Sequence, residues 1–273
     1  MSGIWPGDTR CVVMLTFDVD GVSGAINRKP DAVKLPSLMS MREFGPSVGA
    51  PRVLDLLDKY GVKGSFYIPG YVAETHKALV KDIAKRGHEV GHHGYMHEPP
   101  ATLNKKEEGE VLDKSLDILQ AITGQKVKGY RSPAWELSEH SLGLIASRGF
   151  TYDSSLMGND IPYMVDAGKG KKLVEIPVHW ELDDYPYFDF SPALGSVRTI
   201  AAPGDVYRAW ADIFEGMYHY GRSFMLTCHP FLIGRSGRLR ALEKLIGHMQ
   251  SFQGVKFMRA DEVADMWAKK ADK

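Results

Sequence analysis

The chain has 273 residues, 44% of them apolar, enough to bury a substantial core in one large domain or two small ones. Lys plus Arg and Asp plus Glu balance at 34 each, which gives no footing for nucleic acid or an anionic membrane surface as a partner. Cys11 and Cys228 make no disulfide framework and point to a reducing compartment, the cytoplasm; residues 1–10 lack a signal peptide's basic start and apolar core, and no apolar run reaches the roughly 18 residues of a membrane span.

Residues 12–17 (V-V-M-L-T-F) form a continuous apolar run, as in a strand buried on both faces, and end in Asp18-Val19-Asp20-Gly21. Residues 21–50 carry little periodicity and many Gly, Pro and Ser, which predicts a long connection. Val53, Leu54, Leu56, Leu57 and Tyr60 form a helical stripe closed by Gly61. A second strand is predicted over 65–68, a helix over 75–86 that stops at Gly87, and a third strand over 89–92. Asn104 or Thr102 caps a long helix with Val111, Leu112, Leu116, Leu119 and Ile122 on one face, ending at Gly124. Strands follow at 127–130 and 150–153, with a helix from Ser138 to Gly149 between them.

Residues 154–202 are the least regular part. They hold a predicted strand at 173–176 and then H-W-E-L-D-D-Y-P-Y-F-D-F over 179–190, which suits either a pocket wall or a solvated loop. A helix over 205–220, a strand over 224–227, a helix around 239–249, a strand over 255–257 and a helix from Ala260 complete the chain. Seven or eight strand–helix alternations without a dividing linker predict a single α/β domain over 1–273, a distorted TIM-like (β/α) barrel.

The run His88–His97, H-E-V-G-H-H-G-Y-M-H, holds four of the ten histidines. His88, Glu89 and His92 spell H-E-x-x-H, a zinc pattern that works only on a helix. Gly87, Gly91 and Gly94 disfavour a helix by about 1 kcal/mol each, so a strand is the simpler reading. His88, Val90 and His92 then face one way and Glu89, Gly91 and His93 the other. His93 and His97 fall past the strand end, where one turn of loop can aim both rings at one ion.

Other polar residues fall at equivalent places. Asp18 and Asp20 follow the first strand, Arg131 the fourth, and His229 a late one. The C-terminal ends of parallel strands converge on one mouth, where barrel enzymes keep their sites. Two imidazoles and a carboxylate suit Zn²⁺ with a position left for water. A second carboxylate can take a proton from that water, an Arg can keep it ionised, and a free His can protonate a leaving amine. Each residue alone also has a bland reading: a turn cap, a structural ion pair or a satisfied core histidine. Cys228 should face away from His229 and pack. Asp153, Glu181, Asp183 and Asp184 are all candidates to orient His229.

The motifs T-F-D-V-D-G (16–21), H-G-Y-M-H (93–97), R-S-P-A-W (131–135) and L-T-C-H-P (226–230) resemble, in order, those of the polysaccharide deacetylase family, the chitin and peptidoglycan N-deacetylases. The resemblance implies a distorted (β/α) barrel and a divalent metal, most often Zn²⁺, held by Asp20, His93 and His97. It implies Asp18 as base, Arg131 as its partner and His229 as acid. Pro133, Trp135 and Trp180 are expected in the substrate pocket. D-V-D replaces the family's usual D-D, Gly94 follows the first metal His, and Ala134 precedes the aromatic. The stretch E-F-G-P-S-V-G-A-P-R-V-L-D-L-L (43–57) is similar to an intracellular branch with allantoinase-type and cyclic imide hydrolases, whose members tend to be homotetramers. The expected activity is therefore hydrolysis of a non-peptide amide: a sugar N-acetyl group, or alternatively a small cyclic amide, imide or ureide. A non-catalytic carbohydrate-binding relative is the alternative of another class.

Overall fold

The computed structural model describes residues 4–271; residues 1–3, part of the stretch read for a signal peptide, lie outside them. Among the described residues nine strands form one sheet: β1 (Cys11–Asp18), β2 (Ser65–Ile68), β3 (Glu89–His92), β4 (Gly129–Tyr130), β5 (Tyr152–Asp153), β6 (Tyr163–Asp166), β7 (Lys172–Glu175), β8 (Ser223–Cys228) and β9 (Val255–Phe257). The order is β6-β7-β5-β4-β3-β2-β1-β8. Every pairing is parallel except β6 on β7. One edge of β1 is shared, with β9 on Cys11–Val13 and β2 on Thr16–Asp18, while β8 runs along the other. The sheet curls into a distorted TIM-like barrel. Backbone of an irregular loop meets the outer edge of β8, through a single parallel bridge between Asp183 and Thr227.

Strand alternation decides what reaches the mouth. On β1, Cys11, Val13, Leu15 and Phe17 turn outward into the helical layer, and Val12 and Met14 turn inward. Thr16 and Asp18 continue the inward row, both bonded to Arg131. Both rows are buried, which is why the strand reads as unbroken apolar sequence. Below the mouth the barrel is filled by Tyr67 and Tyr152, whose hydroxyls meet at 2.8 Å. A Cβ on Gly91 would enter the Tyr67 ring, and one on Gly129 the Tyr152 ring, so glycine admits those rings to the axis.

The expected connection over 21–50 is instead a chain of short helices: Ser23–Arg28, a 3₁₀ turn Pro30–Lys34, Pro36–Phe44 and a π turn Gly45–Gly49 leading into Ala50–Lys59. Pro30 and Pro36 each stand in a first helical turn, where a missing N–H costs nothing, and Pro46 falls in the π turn where the regular ladder is already interrupted; read singly they look like breakers. Buried Arg42 ties this segment to the later loop, donating to Asp189 Oδ1 at 3.0 Å and Ser191 Oγ at 2.8 Å. The sequence also did not predict β6, the antiparallel partner of β7, or the short helix Gly70–Thr75, which ends at His76 just before the helix Lys77–Lys85 that answers to the expected 75–86. The long helix Lys105–Thr123 starts at Asn104 with a reciprocal capping box to Glu107 and ends at left-handed Gly124.

Candidate active site

The His88–His97 run divides as strand alternation requires. His88 Nδ1 accepts the Gly64 N–H at 3.0 Å. His92 Nδ1 accepts the Gly94 N–H, and its Nε2 lies 3.2 Å from the Leu112 carbonyl. Burial pushes His88 down to about 4 and His92 to about 3, so both are neutral packing groups and H-E-x-x-H forms no metal site. His93 turns inward. Its Nδ1–H donates to the Arg131 carbonyl at 2.8 Å, which leaves Nε2 facing the mouth.

There His93 Nε2 lies 3.5 Å from Asp20 Oδ1, and His97 Nε2 lies 3.6 Å from Asp20 Oδ2. Donor atoms of Asp20, His93 and His97 all fall within 4.8 Å of one another. Asp20 Oδ1 is buried and has no hydrogen-bond partner among the described residues, an orphan that a bound ion would satisfy. Burial pushes His97 down to about 4, the neutral form a ligand needs. Two imidazoles and a carboxylate converging on an unsatisfied oxygen fit a divalent cation. The D-V-D spacing has a structural reason: Val19 is buried in the outer core, while the carboxylates on either side of it both reach the His93 ring.

Asp18 stands beside this cluster. Its Oδ1 accepts Arg131 Nη1–H at 2.9 Å, and its Oδ2 lies 3.8 Å from His93 Nε2. Burial pushes the Asp18 carboxyl up, but the Arg131 guanidinium, with His93 and His229 nearby, outweighs it and holds it below the usual range. Arg131 is fully buried, donates also to Thr16 Oγ1 and Ser154 Oγ, and lies 4.0 Å over the Tyr67 ring. A buried guanidinium so surrounded is fixed in position.

His229 comes from the end of β8, with Nε2 3.7 Å from Asp20 Oδ2. Of the four acids that might orient it, Asp184 does: Oδ1 lies 2.7 Å from Nδ1 and also accepts the His229 backbone N–H. Asp183 Oδ1 is 3.5 Å away. Asp153 instead bonds Ser155, and Glu181 is exposed. Burial disfavours the imidazolium, but Asp183 and Asp184 outweigh it and hold His229 well above its ordinary value. Asp183, Asp184 and His229 also have cation-like spacing, but Nδ1 is already taken up by Asp184. Cys228 turns outward into the core, as alternation predicts.

These groups floor a cavity of about 550 Å³, walled by Trp135, Trp180, Tyr185 and Pro186. Trp135 and Trp180 pack with centroids 4.5 Å apart and ring planes tilted by 35°. The 179–190 stretch therefore supplies pocket wall through Trp180, Asp183, Tyr185 and Pro186, while Phe188 is core. Pro133 is buried beneath this lining, against the position a Gly94 Cβ would take, and does not face the cavity. Arg131 is likewise behind it, reaching the cavity only through Asp18. Among the described residues four non-glycines have positive φ, and three of them line this cavity: His97, Ala134 and Trp135. Strain of about 1–3 kcal/mol each concentrates where side chains must be aimed. Sequence reasoning missed Arg28 and Arg198 in the lining, and reached Tyr185 and Pro186 only as part of the 179–190 stretch. Arg28 lay in the supposed connection, and no local pattern places Arg198 near Asp20.

The polysaccharide deacetylase family model matches residues 8–152. The chain is 34% identical to the peptidoglycan deacetylase of Helicobacter pylori over 285 residues, covering 95% of this chain and 97% of that one. A candidate polysaccharide deacetylase from Mycobacterium smegmatis superposes with a TM-score of 0.94 at 37% identity, covering 97% and 93% of the two chains. The PuuE allantoinase shares the fold, with a TM-score of 0.84 at 21% identity over 96% and 92% of the chains. The barrel, the clustered acids and histidines and these matches lead to one conclusion: the chain belongs to the polysaccharide deacetylase family, hydrolases of C–N bonds.

Proposed function

We propose that the protein is a metal-dependent N-deacetylase acting on N-acetylated sugars of the peptidoglycan type. The observation that carries this reading is the convergence of Asp20, His93 and His97 on one point, beside a second acid, Asp18, held ionised by Arg131. A divalent cation such as Zn²⁺ would be held by those three side chains and would supply a Lewis acid at the scissile carbonyl. Asp18 accepts a proton from the attacking water. Arg131 keeps Asp18 anionic and pointed. His229, charged and held by Asp184, gives a proton to the departing nitrogen, so the amide becomes acetate and amine. Trp135 and Trp180 offer an apolar face against which a sugar ring can lie.

A second reading, opening of a small cyclic amide, imide or ureide, draws on the modest cavity volume and aromatic walls. Acetate release from N-acetylated oligosaccharides, set against ring opening of succinimide, hydantoin and allantoin, separates the two. The metal roles have their own test. Asp20→Ala and His93→Ala should lose both metal and activity, while Asp18→Asn should keep metal and lose kcat by about 10²-fold or more. Full turnover in all three would end the proposal. We also place the protein in the cytoplasm as a homotetramer. Two free, buried cysteines support a reducing compartment, and light scattering would settle the assembly.

A further inference from the structure

Behind the cavity wall two acids are buried side by side, and the proposed reaction uses neither. Asp153 ends β5 and Glu175 ends β7, and the two are Cα partners on neighbouring parallel strands. Tyr152 and Val174 turn into the barrel, so Asp153 and Glu175 both turn outward, on the same face of the sheet. Both are fully buried, and neither lines the cavity. Neither forms an ion pair among the described residues; the Arg131 charge reaches Asp153, but Arg131 pairs with Asp18. Each carboxyl has one oxygen satisfied. Asp153 Oδ1 accepts Ser155 Oγ–H at 2.9 Å, and Glu175 Oε1 accepts the N–H groups of Ser155 and Leu156 at 3.0 and 2.9 Å. Asp153 Oδ2 and Glu175 Oε2 are buried and find no donor among the described residues.

Two adjacent carboxylates without a cation would repel each other, and burial makes each charge costlier still. One proton between them removes both faults: it makes one oxygen a donor to the other and leaves a single negative charge on the pair. Burial pushes both carboxyls up, Glu175 the further because the Asp153 charge adds to it. The other titratable groups facing the pair are Tyr130 on β4 and Tyr163 on β6, and neither is a cation. The acids anchor the turn that follows β5. Ser155 is bonded to both of them, and its Oγ accepts the Ser132 N–H at 2.9 Å. Ser154, one residue earlier, takes Arg131 twice, Nη2–H on Oγ at 3.0 Å and Nε–H on its carbonyl at 3.3 Å. Ser154 and Ser155 alone thus separate the acids from Arg131, which in turn holds Asp18.

We propose that Asp153 and Glu175 share one proton and act as a single positioning unit for Arg131, holding through Ser154 and Ser155 the guanidinium that aims Asp18. The shared proton stands on burial and strand pairing; its effect on turnover rests on the deacetylase reading. Infrared difference spectra at pH 7 test the proton, since an ordinary Asp or Glu, with a pKa of about 4, is ionised there. Parent minus Asp153→Asn, and parent minus Glu175→Gln, should each show a protonated-carboxyl band, because an amide N–H takes the proton's place. Spectra without that band overturn the proposal. Hydrogen exchange at Arg131 Nε, followed by NMR on metal-loaded protein, tests the positioning. Asp153→Ala should speed it about tenfold, and Asp153→Asn should recover most of the protection. In acetate release from N-acetylated oligosaccharides, kcat should fall about 10- to 100-fold in Asp153→Ala with KM little changed, and Asp153→Asn should regain most of it. If the Ala variant does not fold, Asp153→Asn/Glu175→Gln replaces it, since two NH2 groups then face each other and the hydrogen bond is lost. Exchange and kcat at parental values in these disrupted forms, or no recovery by Asp153→Asn, overturn the positioning role. The expected band and exchange changes without acetate release from any form would sink the deacetylase reading and leave the pair standing.

Discussion

Asp184 holds His229 twice through one oxygen: Oδ1 lies 2.7 Å from the ring Nδ1 and accepts the His229 backbone N–H at 2.9 Å. The carboxylate therefore fixes both the rotation of the imidazole and the chain carrying it, and leaves Nε2 directed at the cavity. Asp184→Asn should lower kcat by about 10- to 100-fold with bound metal unchanged, because the substituted side chain touches no proposed metal ligand. Metal analysis beside steady-state kinetics checks this. A fully active variant would show that His229 needs no such support.

Removing metal should cost stability as well as turnover. Asp20 Oδ1 is buried without a partner, and the two histidines beside it are mostly buried. An ion that binds only the folded state adds about 3–4 kcal/mol at 100 to 1,000 times its Kd. Chelator-treated protein should therefore melt several degrees lower, and added Zn²⁺ should restore both Tm and activity. An unchanged Tm on stripping and reloading would count against a tightly held ion.

Gly49 should not tolerate a side chain. A Cβ there would collide with the Pro230 carbonyl, in the residue that follows His229. Backbone cannot swing aside as a flexible side chain can, so Gly49→Ala should destabilise by about 2–3 kcal/mol. Thermal melts should show a loss of several degrees, and kcat should fall as His229 shifts. A variant with unaltered Tm would mean that the two segments separate easily.

His88 should make the fold acid-sensitive. Burial, with the Lys63 charge adding to it, pushes its pKa down to about 4, against about 6.5 in an unfolded chain. The folded state thus prefers the neutral ring. Its contribution is complete above about pH 6.5 and is lost as pH falls towards 4, reaching about 1–3 kcal/mol. His88→Asn should lose less stability than the parent between pH 7 and 4.5, by urea melts at both values. Parallel losses in the two proteins would contradict this.

Much of the barrel was legible because burial on two faces and helix capping are local signals. The run at β1, the strand at 89–92, the Asn104 cap and the glycine stops at 61, 87 and 124 each leave a mark within a few residues. The proline-spaced helices of 23–49 left none, since they are held by Arg42, which bonds Asp189 and lies over Phe231, and by a small apolar cluster of Ala25, Ala32 and Leu38, rather than along one periodic face. Strand β6 is half exposed and takes its register only from β7.

Alternation along a strand settled which histidines could meet Asp20: the two-residue repeat sends His93 inward and His88 and His92 outward from residue order alone. Which acid holds His229, that Pro133 lies beneath the pocket wall, and that Arg28 and Arg198 line one cavity belong to the tertiary structure. Those relationships join segments from 28 to 229 positions along the chain. The packing of loops around the mouth sets them, and no period within a single element encodes such distances.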